Sequence, residues 1–496
     1  MDGISLWFEP SNQREGFRWS ASYQGKMVGL CNQQLCPFCN LEEREKLKNF
    51  KGGNLKVVLA PHRRPSFWED RQFYIGHLVS VPSQEMVVID EGLEVDFSRS
   101  NAILCTSEKG GILIDPGCAG LNRETLFLKR LVADQKSIAT IVSHGHLDHW
   151  NHLAEIDNPV FMSRLVFRLA SRHATIEGDN RLINILRQAK MVIPGESILI
   201  EEDIPIRIDT FPLPHSIPET IGMVVKGEKA RMVYLGDFKF NGMKVRQKAE
   251  TIALLSEIAK EKVDFLALNI INAHLAGFTP LETIVIDSIT NILMEAKGRV
   301  IISCFSTNLE RIQKIIEIAQ LLKRPIGFYG AGMNNAAELL EFKATGIAAD
   351  CENSVLFVTG CQAEEYSVLW RILKNQNPPF ELQPDRDTLI FSSRCIPGNE
   401  NNLFELITGF QARVEKIIIN KGETKQIGLD NSKIKERSVH VSGHESKAGL
   451  QLAIEVLKPK KVFAWPQASP QIEAFREIAK RFNVEIFSEK ERIIEI

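Results

Sequence analysis

Ten residues of this chain, Thr140-Ile-Val-Ser-His-Gly-His-Leu-Asp-His149, hold three imidazoles and a carboxylate: His144, His146, Asp148 and His149. An apolar, strand-like run precedes them, so they fall in a turn just past a strand end. Neutral imidazole and carboxylate are good ligands for zinc-like divalent ions. Their uneven spacing lets alternate side chains face two neighbouring ions. Three further residues suit the same site. Asp115 ends the run GILID and is followed by Pro116-Gly117, His215 follows IRIDTF, and Asp237 ends RMVYLGD. Taken singly, each is an ordinary turn residue. Together they sit where strands stop, which is where open α/β sheets place their sites.

The elements that must position these residues read as alternating strands and helices. Strand-like runs cover 102–105, 111–114, 138–142, 206–211, 221–226 and 231–235, and helical periodicity covers 122–134 and 163–172. A second alternating block predicts helices at 281–297 and 308–322, with strands at 299–303, 355–358, 388–392 and 415–419. The segment 439–496 returns to the same pattern. Strands alternating with helices imply α/β layers.

The chain has 496 residues, too many for one ordinary core, so two or three domains are expected. It is 44% hydrophobic and 25% charged, a soluble globular composition. No apolar run is long enough to span a bilayer. The N-terminal residues lack the layout of a secretory signal, so a cytoplasmic protein is expected. The nine cysteines are mostly scattered in apolar segments, as reduced, buried thiols would be. The net charge of −2 gives no global pull toward nucleic acid, but a local basic groove suffices for phosphate contacts. Residues 1–75 read as a separate N-terminal extension. There Cys31, Cys36 and Cys39 could form part of a zinc knuckle with His62 or a distant ligand. Lys46, Lys48, Lys51, Lys56, Arg63 and Arg64 read first as a solvated face. With Phe50, Phe67 and Trp68 interleaved, they could also contact a nucleic acid strand, and the extension could equally dock a protein partner.

The His-x-His-x-Asp-His core with Asp115, His215 and Asp237 resembles the metallo-β-lactamase superfamily. The segments His215-Ser-Ile-Pro-Glu-Thr, Gly236-Asp-Phe-Lys-Phe240, Phe305-Ser-Thr-Asn308 with Arg311, Ile396-Pro-Gly-Asn-Glu400 and His440-Val-Ser-Gly-His444 narrow the likeness to β-CASP nucleases similar to ribonuclease J. That resemblance implies an αββα sandwich from 76–275 and 436–496, with an α/β β-CASP domain inserted over 276–435. It implies a hydrolase that cuts nucleic acid with a metal-activated water, RNA being favoured over DNA. It also implies that His144, His146 and His215 hold one metal, Asp148 and His149 the second, and Asp237 bridges both. Asp115 would orient a ligand histidine, and Asp148 and His444 would take part in catalysis. Ser442 and Ser446, which flank His444, would bind substrate.

Three positions depart from the family pattern. Pro466 stands where a further metal-ligand histidine is expected, Asn269 replaces a carboxylate, and Ala331 replaces a phosphate-contacting arginine. Gln467 or another side chain could stand in for the histidine. The first metal position is intact and the second weakened, so one tight Zn²⁺ and a weaker second ion are expected, with Mn²⁺ able to substitute. A degenerate member that binds nucleic acid or protein without cutting is the alternative, beside a DNA nuclease. The sequence does not separate exonuclease from endonuclease. No counterpart of the C-terminal oligomerisation domain of ribonuclease J is expected.

Overall fold

A computed structural model describes the strands at 4–10, 17–23, 26–32, 54–62 and 73–81. Beyond these it describes residues 101–107, 110–117, 137–198, 200, 206–343, 348–396, 398–429, 433–466, 470–487 and 493–495. Residues Met1–Asp96 and Phe97–Ile496 form two units.

The first unit contains an antiparallel five-stranded sheet in the order Lys26–Asn32, Phe17–Tyr23, Ile4–Pro10, Phe73–Val81, Asn54–His62. No strand was expected here from the sequence. The boundary expected at residue 75 falls inside Phe73–Val81. That strand pairs with Asn54–His62 from end to end, so the sheet cannot stop at 75.

In the second unit, two mixed sheets lie face to face. One has the order Lys190–Met191, Val160–Met162, Ser137–Ile141, Gly110–Ile114, Ile103–Ser107, Ile493–Glu495. The other runs Ser197–Ile198, Arg207–Pro212, Ile221–Lys226, Arg231–Gly236, Phe265–Asn269, Lys461–Trp465, Glu485–Ile486. Their alternating inward residues, among them Ile112, Ile114, Ile141, Met223, Tyr234, Phe463 and Trp465, make one core. Residues of opposite parity face outward under helices. Helices Arg164–Glu177 and Asn180–Arg187 share a cluster with Val142 and Val160. Helices Gln247–Ile258, Lys447–Leu457 and Gln471–Phe482 cover Val233, Leu235, Val462 and Ala464. The result is an αββα sandwich. Each fully buried aliphatic side chain in it contributes about 1.5–3 kcal/mol relative to exposure.

The chain leaves the second sheet after Phe265–Asn269 and rejoins it beside that strand at Lys461–Trp465, which pairs with it in parallel. Between them lies an all-parallel sheet, ordered Ile326–Tyr329, Val355–Val358, Val300–Cys304, Thr388–Ser392, Lys416–Asn420, Ile434–Arg437. Apolar clusters cover both its faces, as parallel sheets require. The expected strands at 355–358 and 388–392 coincide with those observed, and most others shift by a residue or two. The expected helix at 163–172 begins at Arg164, with Ser163 as its N-cap, and runs on to Glu177, where Gly178 at φ +66° ends it. The helix expected at 122–134 lies outside the described residues.

Candidate metal centre

Four strand ends converge at one edge of the sandwich. Gly110–Ile114 delivers Asp115, Ser137–Ile141 leads into the 144–149 loop, and Arg207–Pro212 leads to His215. Arg231–Gly236 delivers Asp237 after a glycine at φ +55°. The loop packs tightly. A Cβ on Gly117 would stand 2.3 Å from the Asp148 carbonyl oxygen, and one on Gly443 would stand 2.6 Å from His215 Cε1. Both positions need glycine for that close approach.

His144 Nε2 and His215 Nε2 each stand 3.1 Å from His146 Nδ1. The partners of their other nitrogens fix the tautomers. His215 Nδ1 donates to the Gly443 carbonyl at 2.7 Å. Ser143 Oγ donates to Asp115, so at 3.0 Å it accepts from His144 Nδ1. Both Nε2 atoms therefore carry lone pairs, and a single proton on His146 cannot satisfy both. Burial first, and then the neighbouring imidazoles, hold His144 and His215 well below the ordinary histidine value. Burial lowers His146 as well. Three neutral rings brought this close together could hold a metal ion with Asp237.

Asp237 closes the set. Its Oδ2 lies 3.8 Å from His144 Nε2, 3.2 Å from His149 Nε2 and 3.6 Å from His444 Nδ1. Burial opposes ionisation of Asp237, but His444, His149 and His144 outweigh it and keep the carboxyl well below its usual range. Among the described residues, His149 Nε2, Asp237 Oδ1 and His444 Nδ1 are buried with no hydrogen-bond partner. Buried polar atoms are rarely left in this state, and a cation among them would satisfy the first two. The residues present fit divalent metal.

Asp115 faces away from that space. It accepts from the Ser143 amide at 2.6 Å, from the Ser143 and Tyr234 hydroxyls, and from His149 Nδ1 at 2.8 Å. Asp115, His144 and His149 do lie close enough together for a metal cluster. The oxygens of Asp115 are spent on these four donors, however, so it serves to aim His149 Nε2 outward. Its backbone sits at φ +50°, a left-handed conformation costing roughly 1–2 kcal/mol in an L-residue. Asp148 is half-exposed, its Oδ2 3.9 Å from His149 Nε2 and 3.2 Å from the Asn101 amide nitrogen.

His444 is held through its backbone. Its carbonyl accepts from Asn272 and Thr279, and its amide donates to Ser442 Oγ. Ser442 Oγ also accepts from Asn272 at 2.9 Å, which leaves its own proton to donate outward. Ser446 is buried and shares a 3.0 Å hydroxyl contact with Thr279. Below this loop lies a buried charge network that the sequence did not disclose as such. Glu282 pairs with Arg311 and with Lys239, both fully buried. Lys239 donates to the Ser442 carbonyl, and Arg311 to that of Val441. Burial opposes a charge on Glu282, but Arg311 and Lys239 outweigh it and bring its pKa to about 2.

Pro466 directly follows Trp465 and offers no donor atom. Gln467, the candidate substitute, lies outside the described residues. So do Cys36 and Cys39, while Cys31 lies in the strand Lys26–Asn32. Asn269 Oδ1 accepts from the Ile271 amide at 2.9 Å, and Ala331 opens the helix Ala331–Leu339. Sequence reasoning missed Asn101, Ser143, Tyr234 and Trp465. Only Ser143, next to His144, and Tyr234, at an inward position of the strand ending before Asp237, carried any signal.

Residues 111–261 match the beta-lactamase superfamily domain, and residues 297–410 match the ribonuclease J beta-CASP domain. With the sandwich and its strand-end cluster, these matches show that the chain carries a domain of the beta-lactamase superfamily and a β-CASP domain of the ribonuclease J type. It is 26% identical over 382 residues to ribonuclease J 1 of Streptococcus pyogenes serotype M3, covering 70% of this chain and 63% of that protein. It is 26% identical over 364 residues to ribonuclease J of Mycoplasma genitalium, covering 69% and 59%. With ribonuclease J2 of Bacillus subtilis it shares 28% identity over 341 residues, covering 65% and 57%. The matches thus span about three fifths of these relatives' length.

Proposed function

We propose that the chain is a metal-dependent phosphodiesterase that cuts nucleic acid, with RNA as the preferred substrate. The observation that carries this is the convergence of three imidazole nitrogens and the Asp237 carboxylate around one point, with orphaned buried atoms beside it. The names of the relatives favour RNA over DNA. His144, His146 and His215 would hold one ion, Asp148 and His149 a second, and Asp237 both. Three nitrogens and one carboxylate suit zinc, with Mn²⁺ able to substitute. When bound, such ions activate water and stabilise charge on a phosphoryl group.

The chain's own side chains do the rest. Half-exposed Asp148 accepts the proton of the attacking water. His444, partly exposed and aimed at the same space, donates a proton to the leaving oxygen or steadies the phosphate. The uncommitted hydroxyl proton of Ser442 donates to a non-bridging phosphate oxygen, and Ser446 supports it from the same loop. The sandwich formed by 97–275 and 436–496 carries the centre, and the 276–435 insert closes over the strand. The N-terminal unit, residues 1–96, belongs to partner or substrate contact, with a cysteine-bound zinc as one means. Among the described residues no helix is long and apolar enough to cross a membrane, which is compatible with a cytoplasmic setting.

The test is metal content together with cleavage of labelled single-stranded RNA and DNA. RNA cleavage that requires Zn²⁺ or Mn²⁺ is expected, and cleavage of DNA alone would reassign the substrate. Pro466 supports a second reading, a member that binds without cutting. One bound ion with no cleavage of either polymer at any metal concentration would establish it.

A further inference from the structure

Two aromatic side chains lie stacked beneath the metal centre, and each sends a polar end toward a different residue of its second half. Tyr234 and Trp465 occupy inward positions at the ends of their strands, with ring centroids 5.9 Å apart and planes inclined by 25°. Tyr234 donates to Asp115, which accepts from His149 Nδ1 at 2.8 Å. Trp465 Nε1 donates to Asn101 Oδ1 at 2.9 Å. Asn101 Nδ2 donates to the Asp148 backbone carbonyl at 2.9 Å and to its carboxylate Oδ2 at 3.2 Å. An indole N–H only donates, so the amide oxygen of Asn101 must face Trp465 and its NH₂ must face Asp148. The orientation of the amide is therefore set by chemistry.

We propose that Asn101, aimed by Trp465, is a positioning residue that fixes Asp148 and thereby sets the affinity of the second metal position. The inference rests on the two-ion reading above. Asp148 needs such a device. His149 is buried, and Asp115 fixes its ring. Asp148 is 43% exposed, and a carboxylate free to rotate loses conformational entropy on taking up an ion. Asn101, only 6% exposed, and Trp465, 1% exposed, are rigid enough to hold it. Pro466 supplies no ligand to this position, so more of its affinity depends on how well Asp148 is placed. Asn101 turns its NH₂, which offers no lone pair to a cation, toward Asp148, and its oxygen toward Trp465.

The test is Zn²⁺ titration of the metal-stripped full-length protein by calorimetry, with bound zinc counted by elemental analysis. Trp465→Phe removes the N–H together with one ring of a fully buried indole, so some loss of thermal stability is expected of it, and selective weakening of one ion is the readout. The substitution should weaken the second ion by about 10–100-fold and leave the first unchanged, the usual size of an outer-contact effect on a metal. Asn101→Ala should do the same. The double variant should be no worse than Asn101→Ala alone, because both act through one contact on Asp148. A merely structural role would disturb both ions alike. If Asn101→Ala leaves the second affinity unchanged, or if the two substitutions add, the inference is overturned. Wild-type protein that takes up one ion and no second at any Zn²⁺ concentration also overturns it, while leaving the first position standing. Wild-type protein that takes up none overturns the two-ion reading itself.

Discussion

The two halves of the proposed metal centre are built by different means. The first uses three histidines, of which His144 rests its outer nitrogen on a serine hydroxyl and His215 on a backbone carbonyl close at hand. The second uses one buried histidine and one half-exposed aspartate, each steered from below by an aromatic side chain through an intermediate residue. The first half is fixed by its own burial. The second depends on contacts reaching across both sheets, so it is the half more easily loosened or lost.

The largest effect that would break this contrast is at His144, which faces the first position and lies within 4.0 Å, ring centre to ring centre, of His149 in the second. His144→Ala should abolish both tight Zn²⁺ uptake and cleavage. Retention of a tight ion, by elemental analysis, would mean that the first half is not the stronger one.

His444 sharpens the contrast, because it borders the ions without belonging to either set. His444→Ala should keep the metal content of the wild type and slow turnover by about 10²–10⁴-fold, the range for a lost proton-transfer group. Unchanged turnover at saturating metal would remove it from the chemistry.

How much of this was legible follows the same division. His144, His146, Asp148 and His149 are neighbours in sequence, and a run of ligands past an apolar strand is visible without a structure. Asp115, His215 and Asp237 were visible because each ends a strand-like run. Trp465 and Tyr234 looked like core residues, and they are core residues. Their polar tips gain a role only when two sheets pack face to face. Asn101 stands far from Asp148 in sequence, with no periodicity to link them. The strands of the N-terminal sheet were hidden behind cysteines and basic residues that pointed to a knuckle.

A smaller effect probes the support beneath His444. Glu282 sits near pKa 2 against an ordinary 4.5, so its contribution to stability is fully present above about pH 4.5 and is lost as the pH falls through 2. Glu282→Gln leaves Arg311 and Lys239 without their partner and should cost about 3–5 kcal/mol near neutrality, as expected for breaking a buried pair. Denaturant titrations should show that gap closing between pH 4.5 and 2. A gap independent of pH would mean that packing, and not the ion pair, holds the loop.

Two unequal ion positions that share Asp237 are the central proposal, and counting retained zinc tests it most directly. After exhaustive dialysis without chelator, wild-type protein and Asp148→Ala should each keep one Zn²⁺ per chain, measured on protein from which residues 1–96 do not contribute metal or after subtracting that contribution. Only the wild type should cleave RNA. Two retained ions in the wild-type centre, or none in Asp148→Ala, would contradict the account.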